Sequence, residues 1–147
     1  NGIQGAGDGW MASRSAGAES AAKDWDDELT RRIIAAVIRV HSVLGPGFLE
    51  KVYRKALVVE LQRTGLATES EKRIEIYYEQ TLVGSHRLDL VVVGEVVVEL
   101  KTVERLTRHH YAQLRSYLKA ARLRGGLLVD FPLAKAEFRR IEHDSVW

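Results

Sequence analysis

The chain has 147 residues, 46% hydrophobic and 29% charged, which is enough for one domain with a buried core. It has no cysteine, which excludes a disulfide framework, thiolate catalysis and cysteine-ligated zinc, and favours a reducing cytoplasmic location. The formal net charge is +2, but residues 1–28 carry −4 and the rest +6, so the basic body suits a polyanionic partner or simply aids solubility.

Residues 1–23 are rich in Gly, Ala and Ser and show no sustained periodicity. We interpret them as a flexible leader, in part vector-derived upstream of Met11, and residues 24–147 as a single domain. No stretch has the length and apolar character of a transmembrane span, and no apolar segment of a secretory signal follows the N-terminus. We therefore expect no contact with a membrane.

A first amphipathic helix is predicted from Asp26, where consecutive acidic residues favour the positive end of the helix dipole. The segment Gly45-Pro46-Gly47 ends it. His41 lies near the end of its apolar stripe. A histidine in that position is more typical of a packed residue than of a catalytic one.

A second helix is predicted from Phe48 to about Arg63. Three-residue spacing places Glu50 and Tyr53 on adjoining parts of one face. Glu50 serves either the helix dipole or a nearby site, and both interpretations stay open. Tyr53 is more typical of a half-buried structural residue.

Two strands follow, the first over Glu71–Tyr78 and the second from Leu82 to Asp89, separated by a turn at residues 79–81. Gly84 within the second strand suggests a β-bulge or a close backbone approach. His86 and Arg87 lie within reach of a phosphate bound near Asp89, although solvation on the strand surface is the simpler interpretation for both.

Two valine-rich runs joined at Gly94 predict a β-hairpin that contains Asp89, Glu99 and Lys101. Burying such charges costs several kcal/mol, on the order of 3 or more, unless they are paired, metal-bound or open to solvent. Glu99 and Lys101 point to the same face because they are two residues apart. Asp89 shares that face if the connection has an odd number of residues with a left-handed glycine; a two-residue turn would place it opposite.

Two converging carboxylates form a hard-oxygen site that suits Mg²⁺ or Mn²⁺. A lysine beside them can orient a water molecule or stabilise negative charge that develops on a phosphate. If the three side chains share a face, the hairpin therefore suits metal-dependent phosphate chemistry.

A third helix is predicted from about Thr107 to Arg122, and it is strongly basic. Its charges are either a solvated face or a track for phosphates. The candidates for nucleic-acid contact are Arg87, Arg108, Arg115, Lys119 and Tyr117. A buried strand after Gly125-Gly126 and a final strand near Phe138–His143 complete the order α-α-β-β-β-α-β-β, a mixed sheet flanked by helices.

Asp89 followed by Glu99-Leu100-Lys101 resembles the active-site signature of the PD-(D/E)XK nuclease superfamily, with Leu88 where proline often precedes the aspartate. Gly47-x-x-Glu50-x-x-Tyr53 resembles the GxxExxY branch of that superfamily. The similarity runs from about Leu29 to Ile141 in the right order, and His41 also matches a family position.

The resemblance implies a restriction-endonuclease-like α/β fold and a metal-dependent phosphodiesterase acting on nucleic acid. In that assignment Asp89 and Glu99 bind Mg²⁺ or Mn²⁺, the Leu100 carbonyl adds a ligand, and Lys101 positions the attacking water. Glu50 and Gln113 are supporting candidates. Gln113 and Tyr117 form a Q-x-x-x-Y motif like that of exonuclease-like members, in which the glutamine supports the active site.

Two alternatives stay open at this stage. One is a non-catalytic nucleic-acid-binding or regulatory module that kept the nuclease fold, and the other is a hydrolase for another phosphate-bearing substrate. A scaffold without chemistry is free to replace the buried charges Asp89, Glu99 and Lys101 with apolar residues, and their presence favours an enzyme. The expected partner is nucleic acid, with DNA favoured over RNA and a homodimer left open.

Overall fold

The structure is a computed structural model that describes residues 27–123, 125–131 and 137–142. Over these residues the elements follow the predicted order α-α-β-β-β-α-β-β, and the predicted mixed α/β fold is confirmed. The leader predicted for residues 1–23 lies outside the described residues. The helices are α1 (Asp27–Leu44), α2 (Glu50–Arg63) and α3 (Arg108–Ala121), and the strands are β1 (Thr68–Tyr78), β2 (Thr81–Val92), β3 (Val96–Lys101), β4 (Gly125–Asp130) and β5 (Glu137–Glu142).

The five strands form one sheet in the order β1-β2-β3-β4-β5. The first three strands are antiparallel to one another, β3 pairs with β4 in parallel, and β5 returns antiparallel to β4. A parallel pair requires a crossover connection, and α3 supplies it. This arrangement places the end of β3 and the start of α3 in the same part of the molecule.

The sheet separates two hydrophobic cores. The helices α1 and α2 cover one face, and α3 covers the other. Because both faces are covered, β3 is buried along nearly its whole length, and Glu99 within it is 5% exposed. The valine-rich run that identifies this strand in the sequence is thus a fully buried central strand.

The helix α2 begins at Glu50, two residues later than predicted. Leu49 is extended with ψ 154°, and the turn before it is fixed by the fully buried Tyr53. The Tyr53 hydroxyl donates to the Gly45 carbonyl at 2.6 Å and accepts from the Phe48 N–H at 3.3 Å. Periodicity does not reveal this tyrosine-locked turn, and it makes Glu50 the first residue of the helix.

The hairpin of β1 and β2 extends well beyond β3. Only Leu90–Val92 of β2 pair with β3, so the rest of the hairpin forms a two-stranded ribbon, with its turn at Glu79 and Gln80. Both turn residues have positive φ, 52° and 76°, as a two-residue hairpin turn requires. A register shift skips Val83, beside the glycine at which a bulge was predicted.

No helix within the described residues is both long and apolar enough to cross a membrane.

Candidate active site

The hairpin connection decides where Asp89 lies. Val92 pairs with Val96, which leaves the three residues Val93-Gly94-Glu95 as the connection, and Gly94 is left-handed with φ 69°. This is the odd-numbered alternative considered from the sequence. It places Asp89 and Glu99 directly across the hairpin from each other.

At Asp89 and Glu99, hydrogen bonds to the two side-chain carboxylates replace the backbone pairing between β2 and β3. The ladder between β2 and β3 runs from Val92 as far as Leu90. Beyond it, the Asp89 N–H donates to Glu99 Oε1 at 3.0 Å, and the Leu100 N–H donates to Asp89 Oδ2 at 2.8 Å. Side-chain oxygens therefore accept hydrogen bonds that backbone carbonyls accept in a regular ladder, and the strands open at this point.

A twist in β2 contributes to the opening. Leu88 belongs to the α3 core and Leu90 to the α1–α2 core, although residues two apart in a regular strand share a face. On the neighbouring strand Glu71 has φ 51° and forms no ladder pair with Asp89. Strict alternation therefore fails at the aspartate, and its carboxylate lies in the gap between β2 and β3.

Burial raises the pKa values of three carboxyls, and the charge of Asp89 raises two of them further. Burial, followed by the charge of Asp89, raises the pKa of Glu99 to about 8. Burial also raises the pKa of Asp89, against the lowering effect of the Leu100 N–H and of Lys101. The pKa of Glu50 is raised by burial and then by Asp89, so Glu50 belongs to the same cluster. The Thr102 backbone N–H hydrogen-bonds Glu50 from the end of β3.

Lys101 lies beside the carboxylates and is oriented by α3. Its ammonium donates to Gln113 Oε1 at 3.3 Å, and its charge lowers the pKa values of Glu50, Asp89 and Glu99. The Lys101 ammonium therefore lies near three carboxyls, and its hydrogen bond to the Gln113 side-chain amide orients it.

The structure brings Tyr117 to the same place. Burial and the charges of Glu99 and Asp89 raise its pKa, and its ring stacks on His86 with centroids 3.7 Å apart. The interpretation of His86 as a solvated surface residue is therefore wrong. Burial against Tyr117 lowers the pKa of His86, although nearby Asp89 acts in the opposite direction.

Arg54 is a site residue that the sequence analysis missed. It follows Glu50 by one helical turn, which is the signal that would have found it. Its guanidinium lies 3.5 Å from the Glu71 carboxylate, and its charge lowers the pKa values of Asp89 and Glu50. This ion pair ties α2 to β1 next to the opened strands.

The basic residues predicted on α3 do not join the carboxylates. Arg108, Arg115 and Lys119 are exposed. At 100° per residue they lie about 200–240° around the helix from Gln113, on its far side. Their contact with nucleic acid stays a prediction, and so does that of Arg87, which is exposed on β2 two residues before Asp89.

The remaining residue singled out by the family pattern is half-buried beside the α1–α2 core. His41 has its ring centroid 5.8 Å from that of Phe131, and Phe131 stacks on Tyr53 at 4.3 Å. The Phe131 N–H donates to the Lys101 carbonyl at 2.9 Å. The histidine and the tyrosine thus support the end of β3 from behind, through Phe131.

The donor set suits a hard divalent cation. Asp89 and Glu99 offer carboxylate oxygens, and a cation would favour their ionised forms, which burial disfavours in both and the charge of Asp89 disfavours further in Glu99. Within the described ranges, no three or more His, Cys, Asp or Glu side chains are already arranged around a common metal position. A bound metal would therefore need a backbone carbonyl, water or substrate oxygens besides the two carboxylates.

The fold is similar to that of solved structures. The crystal structure of SSO0001 aligns with 63% of this chain at 22% identity and a TM-score of 0.52, and this chain spans about half (49%) of that one. An alkaline exonuclease from Laribacter hongkongensis aligns with a TM-score of 0.45 at 12% identity, covering 74% of this chain and 76% of its own. No curated protein gives a significant match.

The sequence profile of the PD-(D/E)XK nuclease superfamily matches residues 27–141, which include every described helix and nearly the whole sheet. The match spans the opened β2–β3 hairpin, the start of α2 and the glutamine of α3. This chain therefore belongs to the PD-(D/E)XK nuclease superfamily.

Proposed function

We propose that this protein is a Mg²⁺- or Mn²⁺-dependent nuclease of the GxxExxY branch. Nucleases of the superfamily generally depend on divalent metals and act on nucleic acid. The observation that carries the proposal is the pair of carboxylates, Asp89 and Glu99, held in the gap between β2 and β3 by backbone N–H groups of the opposite strand.

Asp89, Glu99 and the Leu100 carbonyl would hold the metal. When bound, the metal supplies Lewis-acid stabilisation of the charge that builds on the scissile phosphate. The protein contributes the preorganisation. The Leu100 N–H keeps Asp89 in place, and the Asp89 N–H keeps Glu99 in place, so little rearrangement is needed at the moment of reaction.

Lys101 orients the attacking water and stabilises negative charge on the phosphate. Gln113 accepts a hydrogen bond from its ammonium, which fixes the position of a long side chain. Glu50 lies close enough to sense the charges of Asp89 and Lys101. We assign it the role of a supporting carboxylate that accepts a proton from water or carries a water ligand of the metal.

A scaffold that only binds nucleic acid is the rival. Burial and the charge of Asp89 raise the pKa of Glu99, so the ionised pair destabilises a metal-free fold, and a binding module gains nothing from keeping it. The partner we propose is nucleic acid, with DNA preferred over RNA. A cytoplasmic location and a homodimer are further proposals that this site does not require.

Cleavage assays over a titration of Mg²⁺ and Mn²⁺ test the proposal directly. The substrates are single-stranded and duplex DNA and RNA, and Ca²⁺ serves as the control ion because it binds hard oxygen sites with a looser geometry. We expect cleavage with Mg²⁺ or Mn²⁺ and a rise in Tm with each ion that binds. If these ions neither support cleavage nor stabilise the protein, the nuclease proposal fails and a non-catalytic binding module becomes the better interpretation.

A further inference from the structure

The ribbon formed by β1 and β2 has two unlike faces. One face contacts α3, because Ile74 is buried in the α3 core and His86 stacks on Tyr117. The other face is exposed along its whole length. We call it the ribbon face, and it consists of three cross-strand pairs, Arg73–Arg87, Glu75–Ser85 and Tyr77–Leu82.

The pair nearest the carboxylates consists of two arginines. Arg73 and Arg87 lie directly opposite each other, and like charges in that position destabilise a sheet. Neither forms an ion pair with any residue in the described ranges. Asp89 follows Arg87 at a distance of about 7 Å along the strand. A phosphate next to the reacting one is the group that this pair complements.

The pair nearest the tip is apolar. Tyr77 is 59% exposed and Leu82 is 47% exposed. A ring and an aliphatic side chain offer a flat surface for stacking, whereas base edges are read by side chains such as Arg, Asn and Gln. The tip therefore suits the faces of unpaired bases rather than the grooves of a duplex.

Glu75 separates the two pairs. Its carboxylate accepts a hydrogen bond from the Tyr77 hydroxyl at 3.0 Å, which holds the tyrosine along the ribbon face. The same carboxylate repels phosphates. Binding of phosphate is thereby confined to the arginine pair, and the tip is left to the bases.

We propose that the ribbon face binds an unpaired nucleic-acid strand that continues from the scissile phosphate. Arg73 and Arg87 bind its phosphates, and Tyr77 with Leu82 stacks its bases about 23 Å from Asp89. The inference rests on the proposed nuclease function and names its substrate class, a nucleic acid with a single-stranded region next to the cut.

Binding is measured by fluorescence anisotropy in a Lys101→Ala background, in which turnover is expected to be slow. The probes are a labelled single strand of about 20 nucleotides and its duplex. Tyr77→Ala should weaken single-strand binding about 10-fold, and Tyr77→Phe should weaken it little, because the ring carries the stacking. The matched control is Tyr78→Ala, since Tyr78 is 70% exposed on the opposite face and should matter little.

The arginine pair is tested through the salt dependence of binding. Arg73→Ala with Arg87→Ala should lower the slope of log K against log salt by about 1.4, two contacts at about 0.7 each. The matched control is Arg31→Ala with Arg63→Ala, which removes the same charge from exposed helix positions. Glu75→Gln should tighten binding, because it removes a repelling charge and keeps an acceptor for Tyr77.

Each contrary result has a distinct meaning. Equal losses for Tyr77→Ala and Tyr78→Ala, or equal losses on duplex and single strand, would overturn the inference. A change in molecular mass in the ribbon-face variants would assign the face to a second copy of the chain and overturn it as well. If ribbon-face variants that keep Lys101 cleave as the wild type does, the inference alone fails. If the ribbon-face variants lose binding but the wild type cleaves no substrate, the nuclease proposal alone fails.

Discussion

The Asp89 side chain affects both the structure of the hairpin and the protonation of Glu99. Its carboxylate accepts the Leu100 N–H, and its charge helps to raise the pKa of Glu99 to about 8. The hydrogen bond stabilises the opened hairpin, and the charge destabilises it when no cation is present. The two effects can be separated, because an amide oxygen also accepts the hydrogen bond.

Asp89→Asn is expected to change the stability of the metal-free protein by less than about 1 kcal/mol. The amide keeps the acceptor for Leu100 and removes the repulsion on Glu99. Stabilisation by Mg²⁺ or Mn²⁺ should disappear, and cleavage should fall by about 100-fold or more. Urea unfolding with and without metal measures the first effect and nuclease assays the second. A variant that still gains stability from Mg²⁺ or Mn²⁺ as the wild type does would exclude Asp89 as a ligand.

Lys101→Ala is expected to separate metal binding from turnover. Lysine is not a metal ligand, so Mg²⁺ or Mn²⁺ should still raise Tm, while turnover drops by about 100-fold. Gln113→Leu serves as the companion variant, because it removes the hydrogen bond that orients the ammonium and keeps the lysine. Its loss should be smaller and in the same direction. Full activity of Lys101→Ala would contradict the role assigned to the lysine.

The pH dependence of stability follows from Glu99. Its pKa is about 8 in the folded protein and near 4.5 in the unfolded chain, so the folded state binds the extra proton between these values. Stability without metal should therefore be highest at the acidic end and fall by about 2 kcal/mol between about pH 6.5 and about pH 8. The pKa values of His86 and His110 are lowered by burial, so these residues act in the opposite direction, and their effect fades as the pH rises above about 6.5.

Urea unfolding of the metal-free protein across this range measures the slope. Glu99→Gln cannot ionise and should show a much flatter profile. A bound divalent cation favours the ionised carboxylates, so saturating Mg²⁺ should also flatten it. Stability that instead rises with pH over this window would show that Glu99 is ionised well below pH 8.

At the scale of elements, the start of α2 shows how a motif positions its own glutamate. In Gly47-x-x-Glu50-x-x-Tyr53 the tyrosine lies one turn into the helix and binds back to the loop before it. The loop cannot then continue the helix towards its N-terminus, and the helix begins at Glu50. The three-residue spacing of the motif thus fixes the start of the helix and places Glu50 in the carboxylate cluster.

Tyr53→Phe tests this locking role. The ring should still stack on Phe131, but the bonds to Gly45 and Phe48 are lost. We expect a loss of about 1–2 kcal/mol in unfolding free energy, because the part-buried Gly45 carbonyl is left without its hydrogen bond. Cleavage should fall together with stability, because Glu50 is less well placed. An unchanged unfolding free energy would show that the turn holds without the hydroxyl.

Which elements form was largely predictable, because valine-rich runs, amphipathic helices and glycine stops are local signals. The hairpin pattern even identified the parity condition that places Asp89 opposite Glu99. The break in alternation between Leu88 and Leu90 was not predictable, since it coincides with an unpaired position, Glu71, in a different strand. Arg54 was missed for a similar reason, because its ion pair with Glu71 joins α2 to β1.

At the scale of the whole molecule, the two cores hold the site from opposite sides. Glu50 arrives with α2 and Gln113 with α3, while the sheet between them carries Asp89, Glu99 and Lys101. No one element contains the cluster. Only the sequence resemblance to the superfamily indicates that these separate residues belong together. The positions of the charges on α3 were not recoverable in this way, because a dense basic run does not say which side of a helix faces the site.

Reversing Arg108 and Arg115 to glutamate tests whether the far side of α3 contacts nucleic acid. If it tracks phosphates, binding should weaken and the slope of log K against log salt should fall by about 1.4–1.8 for two lost contacts. The matched control reverses Arg31 and Arg63, which gives the same net charge elsewhere. Unchanged affinity and slope would assign the helix face to solvation.

In the opened hairpin, carboxylates replace backbone carbonyls as hydrogen-bond acceptors. Two backbone amides can therefore report on the state of the carboxylates. The amide protons of Asp89 and Leu100 are each donated to an oxygen of the other strand's carboxylate. Their NMR chemical shifts and hydrogen-exchange rates should therefore respond whenever Glu99 or Asp89 gains a proton or binds a cation. The occupancy of the centre can then be followed in the unmodified protein by isotope labelling alone, one resonance for each carboxylate.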